Sequence, residues 1–132
     1  MTSPSVQPIA TPSAPKALGP YSPAVRAGDW IILSGQVGLD PQSGALVEGV
    51  EAQARQALAN IAAVLGDCGA TLAQVAKSLV FVTDLAQFLT VNAVYAEAFG
   101  EHRPARSTVQ VAGLPGGAEV EIEVWAYTGA GG

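Results

Sequence analysis

Residues 119–127, EVEIEVWAY, alternate strictly between two kinds of side chain, and this alternation restricts the fold more than any other feature. Successive side chains of a β-strand point to opposite faces, so a period of two predicts a strand with one face in the core. Because large aromatic side chains are unfavourable on an open surface, we expect a second subunit or another element to cover the other face. The first face consists of Val120, Ile122, Val124 and Ala126, and the second of Glu119, Glu121, Glu123, Trp125 and Tyr127.

Two segments upstream follow the period of an α-helix. Residues 50–70 place four apolar residues at helical spacing before Gly69, and residues 85–100 repeat the pattern before Gly100. Glycine at these positions is a common helix stop. The apolar residues of the first helix are Ala54, Leu58, Ile61 and Leu65.

Strands are predicted where β-branched and aromatic residues cluster, as in residues 76–84 and 105–114. The turn-rich GLPGGA (113–118) joins the second of these to the alternating strand. The run WIILSGQVG (30–38) begins apolar on both faces, which is typical of a strand buried on both sides. Residues 1 to about 15 are expected to be loosely ordered, with one possible edge strand at 6–10. Together these elements predict a single α+β domain over residues 1–132, with two helices on one face of a sheet.

The composition excludes several classes of function. A net charge of −5, a pI near 4.6 and only six basic residues argue against a nucleic acid or an anionic membrane as partner. Cys68 is the one cysteine and His102 the one histidine, so neither an internal disulfide nor a His/Cys zinc cluster can form. We interpret Cys68 as a small buried hydrophobe and His102 as a surface residue. No phosphate-binding glycine motif, signal peptide or long apolar run occurs, so we expect a cytoplasmic protein with no metal and no cofactor.

Two polar strand faces could carry chemistry. In residues 105–112, Arg106, Thr108 and Gln110 share one face, and if the last two strands lie near each other, Arg106 and Glu121 can face the same space. Arginine presents a planar fork that grips a carboxylate through parallel hydrogen bonds. The alternative is a solvated face with one weak ion pair, worth roughly 0–1 kcal/mol.

Six segments, in the same order along the chain, resemble the RidA/YjgF family of reactive-intermediate deaminases, also called the L-PSP family. The resemblance implies a fold similar to chorismate mutase from bacilli: a mixed β-sheet with two α-helices on one face, assembled as a homotrimer with active sites between subunits. The segments are GPYS (19–22), SGQVGLDPQSG (34–44), QARQALANI (53–61), VFVTDLAQFLTVNAVYAEAF (80–99), PARSTVQVAGLP (104–115) and VEIEVWA (120–126).

The resemblance also implies an activity, the hydrolysis of 2-imino acids such as 2-iminopropanoate or 2-iminobutanoate to 2-oxo acids and ammonia. The family's carboxylate-binding arginine corresponds to Arg106, and its acid/base or water-orienting glutamate corresponds to Glu121. The substrate-binding positions correspond to Tyr21, Ser34, Gly35, Asn92 and Thr108.

This chain departs from the family pattern near Arg106. Thr108 stands where many members have a cysteine, which implies that the backbone there makes the contact and speaks against a thiol-based role. The loop before Arg106 is about three residues shorter than in typical members, and Arg103 replaces a more usual aromatic residue.

Two other functions compete with the deaminase. The same cleft could hold 2-oxo acids or other small carboxylates without turnover, in a regulatory or chaperone-like role. Ribonuclease activity has been attached to some relatives, but the sequence opposes it because there is no basic stripe and no pair of histidines.

Overall fold

The structure is a computed structural model that describes residues 5–129. Single helical turns of the 3₁₀ type occur at Leu72–Gln74, Leu85–Gln87 and Pro115–Gly117. The strands and helices are β1 (Val6–Pro8), β2 (Ala24–Ala27), β3 (Trp30–Leu33), β4 (Gln36–Val37), α1 (Val50–Asp67), β5 (Val75–Val82), α2 (Phe88–Phe99), β6 (Ala105–Gln110) and β7 (Val120–Tyr127).

All of these strands belong to one mixed sheet. Its order is β1-β2-β3-β7-β5-β6, and β4 also pairs with β7. β5 and β6 are parallel, whereas β7 runs antiparallel to both β3 and β5. A parallel pair requires a long crossover, and α2 provides it between β5 and β6. This crossover places α2 beside the edge strand β6.

The core lies between the sheet and the two helices. The apolar face of β7 is fully buried there, as its alternation predicts, and packs with side chains such as Ile61 and Leu65 of α1 and Val94 of α2. The predicted mixed α+β fold with two helices on one face is therefore confirmed. Ser13 donates hydrogen bonds from its backbone nitrogen and its hydroxyl to the carboxylate of Asp67. These bonds attach the N-terminal segment to the end of α1.

Three details differ from the sequence prediction. The last two strands, β6 and β7, are not neighbours, because β5 lies between them. The run 30–38 forms two short strands separated by Ser34 and Gly35. Its first part is not buried on both sides, because Trp30 and Ile32 point away from the helices. The short strand β2 was not predicted from the sequence. The edge strand expected at 6–10 is present as β1.

The face of the sheet opposite the helices, which we call the open face, keeps large apolar side chains accessible. Trp125 is 41% exposed, Tyr127 44% and Val109 44%. Trp30 meets Tyr127 edge-on, with ring centroids 5.1 Å apart. Such a cluster is typical of a surface that another protein covers.

Within residues 5–129, neither helix has the length and apolarity that crossing a membrane requires.

Candidate functional site

Arg106 and Glu121 lie on opposite faces of the sheet. β5 aligns Ser78 with Arg106 and Phe81 with Glu121. Cross-strand partners share a face, and Ser78 and Phe81 are three positions apart on β5, so the side chains of Arg106 and Glu121 point in opposite directions. They are also offset by about 10 Å along the strand direction. The expectation that both residues of one chain face the same space is therefore wrong, and each lies in a separate candidate site, called a half-site below.

The first half-site is a recess on the helix side at the edge of the sheet, which we call the Arg106 recess. Its volume is about 430 Å³. The crossover brings α2 against β6, so a helix supplies one wall and the end of the loop before β6 supplies the other. The lining residues are Asn92, Tyr95, Ala96, Arg103, Pro104 and Arg106.

The guanidinium of Arg106 lies over aromatic rings instead of pairing with an acid. Its Cζ atom is 4.8 Å from the ring centroid of Tyr95 and 5.7 Å from that of Phe88. The ion pairs found among residues 5–129 involve Arg55 and not Arg106. A guanidinium held over aromatic faces keeps its N–H donors directed outward in the plane of the fork, where an anion can accept them.

Tyr95 is fixed in turn by a buried hydrogen bond. Its hydroxyl lies 2.6 Å from Oγ of Ser78 on β5. Burial raises the pKa of Tyr95, and this effect is opposed by the Ser78 bond and by the charges of Arg106 and Arg103. Tyr95 therefore remains a neutral support beneath the guanidinium at physiological pH.

The second half-site surrounds Glu121 on the open face, and we call it the Glu121 cavity. Its volume is about 40 Å³, enough for roughly two or three water molecules. Tyr21 and Gly35 contribute to its walls, together with Lys16, Leu18 and Pro115. Burial raises the pKa of Glu121, and the nearby charge of Glu123 raises it further. Glu121 is thus a stronger base than a fully exposed glutamate.

Gly35 is required by the close approach of Glu121. A Cβ atom at position 35 would lie 2.7 Å from Cδ of Glu121 and 2.9 Å from its Cγ. The break between β3 and β4 therefore creates the space in which the carboxylate lies. Ser34 closes the same turn by donating from Oγ to the backbone oxygen of Ser22 at 2.6 Å.

The remaining candidate residues divide between the two half-sites. Asn92 lines the Arg106 recess, and Tyr21 borders the Glu121 cavity, where its hydroxyl accepts a hydrogen bond from the backbone nitrogen of Leu18 at 3.1 Å. Thr108 follows Arg106 on the same face of β6. Its Oγ1 atom is buried without a hydrogen-bond partner among the described residues.

Two residues considered in the sequence have structural roles. Nε2 of His102 lies 2.7 Å from the backbone oxygen of Val75, and the ring packs near Phe99. Cys68 is buried, and burial raises the pKa of its thiol. Over residues 5–129 no cluster of histidine, cysteine and acidic side chains could hold a metal ion.

Tyr95 and Phe88 were not recognised as site residues from the sequence. The signal was present, because Phe88, Asn92 and Tyr95 follow one another at spacings that place them on one side of a helix. What the sequence lacked was the partner strand, since nothing in it places β6 beside this side of α2.

The fold and the two candidate half-sites together define a small α+β protein with an arginine and a glutamate in two separate cavities. The profile of the family described as Endoribonuclease L-PSP matches residues 11–128, and the chain belongs to this family. It is 48% identical over 118 residues to a 2-iminobutanoate/2-iminopropanoate deaminase of Salmonella typhimurium, covering 87% of this chain and 92% of the relative. The deaminase of the same name from Homo sapiens is 45% identical over 122 residues, which cover 92% and 89% of the two chains. The crystal structure of E. coli TdcF with bound serine superimposes with a TM-score of 0.88 at 41% identity, covering 92% of this chain and 98% of that one.

Proposed function

We propose that the protein is a 2-imino acid deaminase that hydrolyses small imino acids such as 2-iminopropanoate and 2-iminobutanoate. The observation that carries this function is the guanidinium of Arg106, which is supported by aromatic rings and has no acidic partner among residues 5–129. Relatives that are 45–48% identical over most of their length carry the name of this deaminase. In the reaction the imine carbon gains the oxygen of one water molecule, and the nitrogen leaves as ammonia.

Arg106 binds the carboxylate that every 2-imino acid carries. Its planar fork donates two parallel hydrogen bonds to the two carboxylate oxygens, each worth about 1.5–3 kcal/mol. This pairing fixes C2 of the substrate relative to the edge of β6. Asn92 lines the same recess and is proposed to orient the substrate, together with the backbone at Thr108.

Glu121 acts on the water molecule. The cavity beside it has room for water, and its raised pKa suits a group that must accept and return a proton. The carboxylate takes one proton of the water as its oxygen bonds to C2 and passes this proton to the nitrogen, which gives a tetrahedral carbinolamine. The carboxylate then takes the remaining hydroxyl proton and passes it to the nitrogen, so that the C–N bond breaks, C2 becomes a carbonyl carbon and ammonia leaves. Tyr21 and Gly35 shape the walls around this carboxylate, and Ser34 fixes the turn beside Gly35. The proposed steps use no metal or cofactor.

The complete site requires a second copy of the chain, because Arg106 and Glu121 of one chain face apart. A homotrimer, in which the open face of each subunit meets its neighbour, would bring Arg106 of one subunit to Glu121 of the next. The exposed aromatic side chains of the open face support such an assembly. We place it in the cytoplasm, where the single buried thiol of Cys68 stays reduced.

An assay with imines formed in place by an amino-acid oxidase tests the proposed activity. The protein is expected to accelerate 2-oxo acid formation, and Arg106→Ala is expected to lower kcat/KM about a hundredfold or more through loss of the bidentate contact. Arg55→Gln serves as the matched control, because Arg55 pairs with Glu97 on the helices. The proposal fails if the wild-type protein gives no acceleration over the oxidase alone.

Glu121→Gln separates this enzyme from a binding module that only holds 2-oxo acids. If the protein is an enzyme, Glu121→Gln abolishes turnover, while calorimetry still detects binding of 2-oxobutanoate to the variant. If the protein is a binding module, the wild-type protein already binds 2-oxobutanoate without turnover. Cleavage of RNA, which the family description names, has no support in this acidic chain, because its six basic residues form no stripe and only Arg103 and Arg106 lie close together.

A further inference from the structure

The Arg106 recess carries two positive charges, whereas binding a single carboxylate needs only one. Arg103 and Arg106 both line it, and the other lining residues are neutral. The two nearest acids on α2 and its following turn do not belong to the lining: Glu97 pairs with Arg55 at 2.9 Å, and Glu101 is exposed to solvent. The Arg106 recess is therefore a small positively charged surface on a chain whose net charge is −5.

The side chain of Arg103 is held in place by hydrogen bonds to the backbone. Its NH1 atom donates hydrogen bonds to the backbone oxygens of His102, at 2.9 Å, and of Gly100. These bonds engage one nitrogen and attach the guanidinium to the end of α2, while the opposite edge of the fork keeps its N–H donors. A cation that is oriented before binding loses less conformational entropy when an anion arrives.

Both arginines line the recess together with Tyr95. The charges of Arg106 and Arg103 both oppose the rise in the pKa of Tyr95, in agreement with this placement. Arg106 stacks on the ring of Tyr95, and Arg103 approaches from the loop before β6. A ligand that reaches across this space can contact both.

We infer that Arg103 binds a second carboxylate of the substrate, so that this enzyme favours imino acids derived from dicarboxylic amino acids over those derived from alanine or 2-aminobutanoate. The inference rests on the proposed deaminase function and assigns its substrate class. Arg106 holds the carboxylate next to the imine carbon, and Arg103 receives the carboxylate at the far end of the side chain. The recess volume of about 430 Å³ leaves room for the longer substrate.

Binding of stable products gives the first test. Isothermal titration calorimetry of the intact protein with 2-oxoglutarate and 2-oxobutanoate is expected to show tighter binding of the dicarboxylate by about tenfold, a modest factor because Arg103 is exposed to solvent. Arg103→Gln is expected to remove this difference, and Arg103→Lys, which keeps the charge without the fork, is expected to retain part of it. Arg55→Gln is the control and keeps the wild-type ratio. Equal affinities in the wild-type protein, or a ratio that Arg103→Gln leaves intact, would overturn the inference.

Turnover gives the second test and separates the two proposals. We would compare kcat/KM for 2-iminosuccinate, formed by oxidation of aspartate, with that for 2-iminopropanoate, formed by oxidation of alanine. The ratio is expected to favour 2-iminosuccinate and to fall about tenfold in Arg103→Gln. Hydrolysis of 2-iminopropanoate with no preference that depends on Arg103 would refute the substrate class and leave the deaminase in place. Absence of turnover with both imines, together with Arg103-dependent binding of 2-oxoglutarate, would refute the deaminase and support the dicarboxylate site.

Discussion

At the scale of single residues, the surroundings of each arginine decide its role. Arg55 lies between two glutamates, 2.9 Å from Glu97 and 3.6 Å from Glu51, and its pKa is raised because both acids stabilise its charge. Arg106 lies instead over the rings of Tyr95 and Phe88. The first guanidinium is already neutralised, whereas the second is left for an external anion. Sequence alone separates these cases poorly, because an alanine precedes both arginines and no local pattern records which groups fold against them.

Tyr95 tests the aromatic support of Arg106. Tyr95→Leu removes the ring and is expected to raise KM about tenfold, the size of a partly desolvated cation–π contact. Tyr95→Phe keeps the ring and loses the hydrogen bond to Ser78, so it is expected to lower the free energy of unfolding by about 1–3 kcal/mol with KM close to that of the wild type. Steady-state kinetics and urea unfolding of both variants distinguish the two effects. The same KM in Tyr95→Leu and Tyr95→Phe would speak against the support.

Glu123 tests the electrostatic environment of Glu121. Burial is the larger cause of the raised pKa of Glu121, and the like charge of Glu123 is the second. In the proposed mechanism the ionised carboxylate accepts the proton of water, so kcat/KM should fall as the pH drops through this pKa. Glu123→Gln lowers the pKa of Glu121, so the acid limb of the pH profile is expected to move to lower pH. Enzyme-dependent 2-oxo acid formation across the acid range measures the shift, with Glu97→Gln on α2, on the other side of the sheet, as control. An acid limb that stays in place contradicts this coupling.

At the scale of elements, the interrupted strand between β3 and β4 creates the second half-site. β3 ends at Leu33 and β4 begins at Gln36, and the residues between them leave room for the side chain of Glu121. The sequence predicted one continuous strand here, because the apolar run is unbroken to Leu33 and the polar residues that follow can also belong to a strand. The interruption depends on a side chain of the distant strand β7, which no local pattern contains.

Gly35→Ala tests whether this space is needed. The added Cβ conflicts with the flexible end of Glu121 and not with backbone atoms, so the chain is expected to fold while the carboxylate moves. We expect kcat to fall at least tenfold, since displacement of a catalytic group by about 1 Å can cost a hundredfold. Circular dichroism and kcat measurements check both points. Gly113→Ala, where no heavy atom lies within 4 Å of the added Cβ, is the matched control. Wild-type kcat in Gly35→Ala would exclude this role.

Strand order is a second feature of the elements that local patterns did not reveal. Alternation assigned the two faces of β7 correctly, since each residue carries its own evidence of burial. The order β7-β5-β6 depends instead on the crossover through α2, which brings strands together that are far apart in sequence. The separation of Arg106 from Glu121 follows from this topology and from the register on β5.

At the scale of the whole molecule, the two faces of the sheet have different roles. The helix face is closed by α1 and α2, and the Arg106 recess lies at its edge. The open face keeps Trp125 and Tyr127 accessible beside the glutamates. The resemblance implies sites between subunits, and the register of the sheet supports the proposed shared site, because it places Arg106 and Glu121 of one chain on opposite faces.

Subunit mixing tests the shared site directly. Arg106→Ala and Glu121→Gln are each expected to be inactive, because each lacks one half of every site. Trimers formed by coexpressing the two variants in equal amounts are expected to regain about a quarter of the wild-type activity, since each interface combines two intact halves by chance. Activity per subunit and mass by light scattering measure the outcome. Coexpressed trimers that remain inactive would argue against a site shared between chains.

In the proposed shared site, the opposite orientation of Arg106 and Glu121 makes catalysis a collective property of the protein. A newly made chain would then carry both residues without a working site and would acquire activity only when it meets its partners. Dilution should therefore reduce activity more steeply than it reduces the amount of protein, and the cellular abundance of the chain becomes part of how the reaction is controlled.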